Sequence, residues 1–272
     1  MALTINTNMS SLIVQKNLNA ATSMLNKSIE RMTTGYKINH AADNAAGYSI
    51  ATTWKTQLGS LDVASDNAST GADMLTTLED TYSLITSHLQ RVRDLTEQAA
   101  NGTYGSDSLK AIASEITARL EEIDRISANC EFNGLKMMDG SLTDDINLQV
   151  GLYSDAASRI ALDASLFQNG HVSALFKTFG GVGGATVAEV AKLCSGYDGK
   201  QITGGQNEML NKIDAVISEI SARTTTLGAA QNRIESAVES INVQSENITS
   251  SLSTLRAVSY THLRAHETGR NL

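Results

Sequence analysis

One stripe of side chains constrains this chain more than any other feature. The positions Leu61, Ala64, Ala68, Gly71, Leu75, Leu78, Tyr82, Ile85, Leu89, Val92, Thr96 and Ala99 follow one another at alternating steps of three and four. Strand side chains repeat every two residues, so a strand cannot carry this rhythm. Held over more than five heptads, it predicts one long helix with a coiled-coil seam. Gly71 and Thr96 are its only weak members.

Two further stripes have the same stepping. Asn101-Gly102 predicts a break, and Ser106-Asp107-Ser108 offers N-cap candidates for a second helix through Leu109, Ile112, Ile116, Ile123, Ile126 and Cys130. Arg119 interrupts it, with Leu120 taking the apolar role. The short connection makes these two helices antiparallel neighbours. The third stripe is Leu210, Ile213, Ile217, Ile220, Thr224, Leu227, Gln231, Ile234, Val238, Ile241, Ser245, Ile248, Leu252 and Leu255, a helix of roughly 70 Å. Three stripes that close on one another bury surface that none hides alone.

Composition agrees. An average chain of this length carries about a dozen prolines, and this one has none, so nothing in it forbids long helices. Aromatics are only 4%, which suits thin helical packing. The 29 acidic and 21 basic residues give a net charge of −8 with no Lys/Arg stripe, which argues against nucleic acid as a partner. No apolar run reaches membrane-spanning length, and Met1 to Ser11 lacks the basic region of a cleaved signal. Cys130 and Cys194 are too far apart for a metal spacing and are expected unpaired, Cys130 as a small buried hydrophobe at a helix end.

Between the second and third helices the rhythm changes. Asn133-Gly134 and Asp139-Gly140 are turn dipeptides, and Ile146, Leu148 and Val150 alternate with polar residues, which predicts a small β-hairpin region at about 132–151. Gly180 to Gly184 reads as a flexible loop and Val187 to Leu193 as a short helix, within a surface cap over 152–206. Near the N-terminus a narrower stripe, Leu18, Ala21, Leu25, Ile29 and Met32, lies on a helix that stops near Gly35, with no partner helix in this chain.

Several blocks resemble the bacterial flagellins: Arg31 to Asn39 with Ala41 to Ala51, Leu89 to Thr103, Phe132-Asn133-Gly134 through Gln149-Val150-Gly151, and Ile213 to Leu255 including Leu227 to Arg233. The resemblance implies a mainly α, elongated helical bundle with a small hairpin region and an irregular cap. It divides the chain into a filament-core helix segment at 1–43, a bundle at 44–151, the cap at 152–206 and a C-terminal bundle helix at 207–258. It implies a secreted, extracellular structural subunit that polymerises into the flagellar filament. Its partners would be other flagellin copies, the flagellar export apparatus and its chaperone, and cap and hook-associated proteins. No cofactor, metal or membrane insertion is expected. The assembly seam is assigned to Leu75, Leu78, Ile85, Leu89, Ile112, Ile116, Ile220, Leu227, Ile234 and Ile241.

Two departures stand beside it. The segment Leu152 to Gln206 is short, so a large outer domain is not expected. After Val258 the heptad stops, and Val258 to Thr268 resembles translated sequencing-adapter read-through. Residues 259–272 are therefore expected to be a non-native tail in place of a terminal helix that would cover the Leu18 to Met32 stripe, and the chain is expected to polymerise poorly.

Arg91 and Leu95 fall at c and g of the seam that starts at Leu89, which places them on a lateral face, with Glu115 within reach from the antiparallel helix. The resemblance implies that these three contact the flagellin-sensing Toll-like receptor of vertebrates. The plainer reading is a solvated Arg91–Glu115 ion pair of small worth, with Leu95 packed on a neighbouring subunit. No catalytic constellation is present: His266-Glu267 begins like a zinc-protease motif, but Arg270 stands where its second histidine belongs. His40, His88 and His171 are isolated. The competing assignments are a hook–filament junction protein, an enzyme displayed on a filament, and a secreted helical binding module.

Overall fold

The computed structural model describes residues 9–177, 186–196 and 206–257. Among them are six α-helices and four short strands in the order α1 (Met9–Thr34), α2 (Ala45–Ala100), α3 (Ser106–Asn129), β1 (Glu131–Phe132), β2 (Leu135–Lys136), β3 (Ile146–Gln149), β4 (Arg159–Leu162), α4 (Val172–Lys177), α5 (Val187–Ser195) and α6 (Gln206–Arg256). The chain is mainly α, as expected. It forms two compact units, one holding the described residues up to Asp62 and from Asn242, the other Val63–Ile241. The boundaries fall inside α2 and α6, and the division expected at residue 43 lies within the first unit.

α2 starts where Asn44 caps it, its side-chain oxygen accepting from the Gly47 N–H at 2.9 Å. It ends at Asn101, whose side chain accepts from the Thr103 N–H at 3.3 Å. All twelve residues of its seam are buried. The buried face is wider than two columns, because Met74, Thr81 and Leu95 form a third heptad row that is also buried. A helix with neighbours on more than one side buries flanking positions as well as a and d. This corrects the lateral placement of Leu95, which is 2% exposed.

In α3 the seam runs through Leu109, Ile112, Ile116, Leu120, Ile123 and Ser127 to Cys130. Ile126 is only half-buried, and Ser127 takes its place because its hydroxyl donates to the Met138 carbonyl at 2.8 Å. The N-cap of α3 is Gly105, one residue before the expected candidates. In α6 the first turns bury Met209, Ile213, Val216 and Ile220, one register from the expected Leu210 and Ile217. Further on Leu227, Ile234 and Ile241 are buried as expected.

Asn133 (φ 50°) and Gly134 (φ 82°) make the β1–β2 turn, a pair of positive φ values that an Asn-Gly dipeptide adopts readily. β3 pairs antiparallel with β4, Leu148 opposite Ile160, so the partner of the expected 146–150 strand lies past residue 151. β3 rests on α2: the Asn67 side chain donates to the Gln149 carbonyl at 3.1 Å, and a side chain at Gly71 would collide with Leu148.

The segment expected as a surface cap enters the core of the second unit. Ile160, Leu162, Leu166, Phe167, Val172, Phe176 and Cys194 are all buried. The Tyr82 hydroxyl, buried on α2, donates to the Leu166 carbonyl at 2.9 Å. α5 forms as expected, with a capping box in which Thr186 and Glu189 satisfy each other's backbone N–H groups. The Gly180 to Gly184 loop and residues 259–272 lie outside the described residues.

Candidate assembly and recognition surfaces

The ten residues assigned to an assembly seam all lie in the second unit's own core, each at most 7% exposed and nine of them no more than 4%. They hold the chain's bundle together. A residue already closed over by its own chain has no surface to offer another molecule.

α1 is the opposite case. It has no buried residue, and Leu18, Leu25, Ile29 and Met32 are 50–61% exposed along one side. Its C-terminal end is anchored by a loop of ordered contacts among the described residues. Gly35 closes α1 with a positive φ of 73°, its N–H reaching the Arg31 carbonyl at 2.9 Å. In the loop that follows, Asp43 accepts from the backbone N–H groups of Asn39 (3.2 Å) and His40 (3.3 Å). The same carboxylate receives Lys27 at 2.5 Å and Arg31 at 3.7 Å from α1. The Lys27 hydrogen bond, helped by those backbone donors, holds the Asp43 carboxyl down at about 2. His40 meets Glu30 at 2.8 Å.

The same loop takes hold of the end of α6. Tyr36 bridges antiparallel to Ala257, the Lys37 N–H donates to the Arg256 carbonyl at 2.7 Å, and the Arg256 guanidinium lies 4.3 Å from the centre of the Tyr36 ring. The Arg31 to Ala51 signature is therefore a clasp that ties α1, α2 and the end of α6 together. Sequence reading missed the roles of Lys27, Asp43 and Arg256. The one legible hint was the spacing of Asp43 four residues beyond Asn39, which suits a side chain capping its own loop.

Of Arg91, Leu95 and Glu115, the structure brings two together at the surface. Arg91 Nε donates to Glu115 Oε1 at 2.9 Å, bridging α2 and α3, and Arg119 approaches the same oxygen at 3.9 Å. The Glu115 hydrogen bond pushes the Arg91 guanidinium further above its ordinary range. Both partners are well exposed, whereas Leu95 is not. A second cross-helix pair, which sequence reasoning missed, has Arg93 Nε donating to Asp214 of α6 at 2.6 Å.

Cys130 and Cys194 are both free, as expected; Cys130 is buried as expected, and Cys194 is buried too, within the segment expected at the surface. Among the described residues no group of His, Cys, Asp and Glu side chains gathers to hold a metal.

Residues 5–143 match the bacterial flagellin N-terminal helical region and residues 210–265 the bacterial flagellin C-terminal helical region. Over 204 residues the chain is 40% identical to a phase 1 flagellin of Salmonella naestved, covering 75% of this chain and 39% of that protein. A flagellin of Salmonella enteritidis matches with the same identity and coverage. The chain thus spans about two fifths of the length of these relatives. Two solved structures share the fold. One is a flagellar hook-associated protein as assigned in Vibrio parahaemolyticus, with a TM-score of 0.65, 12% identity, and coverage of 79% of this chain and 100% of that one. The other is FlgL of Bacillus cereus, with a TM-score of 0.56, 19% identity, and coverage of 74% and 99%. At such identities the structural likeness speaks for the fold alone. The two regional matches, in their order along the chain, carry the assignment: this chain belongs to the bacterial flagellin family.

Proposed function

We propose that the chain is a structural subunit, without enzymatic activity, of an extracellular bacterial flagellar filament. Within its family the observation that carries this reading is α1. A helix with Leu18, Leu25, Ile29 and Met32 all at least half exposed is poorly suited to an isolated subunit, since an uncovered amphipathic helix gains little against its ordering entropy. Burial between copies in a polymer supplies what the lone chain lacks. Export through the flagellar secretion apparatus with its chaperone, and contacts with cap and hook-associated proteins, belong to the same proposal. The 40% identity to flagellins favours filament subunit over hook–filament junction protein.

The test is expression in a motile bacterium whose own flagellin gene has been deleted, followed by electron microscopy of sheared cells. Filaments containing this chain are expected, fewer and shorter than those of a Salmonella flagellin if residues 259–272 impair polymerisation as the sequence reading expects. A secreted chain that stays monomeric where a Salmonella flagellin assembles overturns the proposal.

We also propose that Arg91 and Glu115 form a contact for the flagellin-sensing Toll-like receptor, with Leu95 shaping that face from beneath. Arg91→Ala is expected to weaken receptor signalling by monomer, and unchanged signalling removes the proposal.

A further inference from the structure

The second unit carries an open cleft of about 470 Å³, lined by Ala157, Arg159 and Ile160 at the start of β4 and by Asn232, Arg233, Ser236 and Ala237 of α6. Two arginines enter it from different elements. Arg159 is steadied by Gln149, its Nε donating to the amide oxygen at 3.1 Å. Neither arginine has a carboxylate within 4.0 Å among the described residues, and the positions three and four away from Arg233 are Ala229, Ala230, Ser236 and Ala237. In a chain of net charge −8, two cations that line one cleft with no carboxylate within 4.0 Å among the described residues suit an anionic partner.

The same unit carries a matching surface. Asp66, Asp73 and Asp80 repeat every seven residues on the solvent side of α2, opposite its buried rows, and all three are exposed. No Lys or Arg occurs between Lys55 and Arg91, so no basic residue of α2 neutralises them. The residues around them are small and hydroxylic, among them Ser69, Thr70, Thr76, Thr77 and Ser83, which leaves room for a second molecule to approach.

We propose that the Arg159–Arg233 cleft receives the Asp66–Asp73–Asp80 row of a second copy of this chain. Two different patches of one molecule meet, so the contact is heterologous and each added copy still offers one free cleft and one free row. Such a contact propagates into a filament or closes into a ring, depending on its rotation. It rests on the filament-subunit reading and adds to it a polar lateral contact distinct from the apolar face of α1. Electrostatic complementarity of this kind sets register and excludes wrong pairings more than it adds raw affinity.

The test is a charge swap read by sedimentation velocity on the full chain. One variant carries Arg159→Glu and Arg233→Glu, the other Asp66→Lys, Asp73→Lys and Asp80→Lys. All five sites are exposed, and circular dichroism checks that both variants keep their helix content. Each variant alone should associate about tenfold more weakly than the unmodified chain, because like charges then face each other. Mixed one to one, the variants restore opposite charges at both kinds of contact and should recover association. Association of the unmodified chain should also weaken between about 0.01 M and about 1 M salt, as the screening length falls from about 30 Å to about 3 Å. A variant that associates alone as strongly as the unmodified chain, or a mixture that gains nothing, overturns the contact and leaves the filament reading standing. An unmodified chain that stays monomeric at every salt concentration and in the filament assay overturns both.

Discussion

Lys27 reaches from α1 to within 2.5 Å of Asp43, a residue that also accepts from the backbone N–H groups of Asn39 and His40. One carboxylate therefore folds the loop and fastens it to α1. Because its folded pKa is depressed to about 2 from an ordinary 3.8, the clasp is fully present above about pH 4 and is lost as pH falls through about 2. The amides of Asn39 and His40 should keep their protection from exchange between about pH 7 and pH 4 and lose it as pH falls on through about 2. Asp43→Asn should remove the protection already at neutral pH, as read by hydrogen exchange. Equal protection in the variant contradicts the clasp.

Tyr82 and Leu166 test whether the 152–196 segment belongs to the core. The Tyr82 hydroxyl is 1% exposed with its residue and donates to the Leu166 carbonyl. Tyr82→Phe leaves that carbonyl unpaired, at a cost of about 1–3 kcal/mol. Urea denaturation should show a lower midpoint with an unchanged slope. A loose surface cap would leave the midpoint where it is.

Legibility in the sequence differed from element to element for physical reasons. On α2 every a and d position from Leu61 to Ala99 is readable, because a long helix with one dominant face repeats its pattern often enough to fix the phase. The start of α6 was not, since Met209/Leu210 and Val216/Ile217 are adjacent apolar pairs and either register keeps the three-and-four rhythm. Packing against neighbours decides between them, and one helix's sequence does not contain its neighbours. Ser127 was passed over for Ile126 because polarity alone hides a hydroxyl that has a buried acceptor. The clasp was out of reach for a similar reason, as Tyr36 and Arg256 meet across almost the whole chain.

Two helix-interior glycines should respond to alanine with opposite signs. Nothing stands within 4 Å of a Cβ built at Gly228, so Gly228→Ala should stabilise α6 by about 0.5–1 kcal/mol. At Gly71 the new methyl meets Leu148, which is fixed by its pairing with Ile160 on β4. Overpacking of about 1–3 kcal/mol then outweighs the helix gain. Thermal melts of the two variants should move in opposite directions, and parallel shifts argue against the seating of β3 on α2.

Both thiols should be silent in the native state. Burial pushes Cys194 up to about 12 despite its hydrogen bond to Thr96, and burial also raises Cys130, beside Thr81. The thiolate is the reactive form, so at neutral pH Ellman's reagent should react with neither until the chain is unfolded. Rapid native labelling at either residue contradicts its burial.

The two kinds of apolar stripe make opposite predictions for the same change. Leu89 is fully buried, and Leu89→Ala removes packing and leaves a cavity, a loss of about 2–5 kcal/mol in the isolated chain. Leu25 is 58% exposed on α1, and Leu25→Ala should change the stability of the isolated chain by no more than about 0.5 kcal/mol. In assembly the ranking reverses if α1 is covered by other copies: Leu25→Ala raises the concentration needed for polymerisation, while Leu89→Ala acts only through the fraction folded. Denaturation curves and critical-concentration measurements on the two variants separate these effects. Assembly that tolerates Leu25→Ala leaves the α1 stripe without the polymer role that its exposure supports.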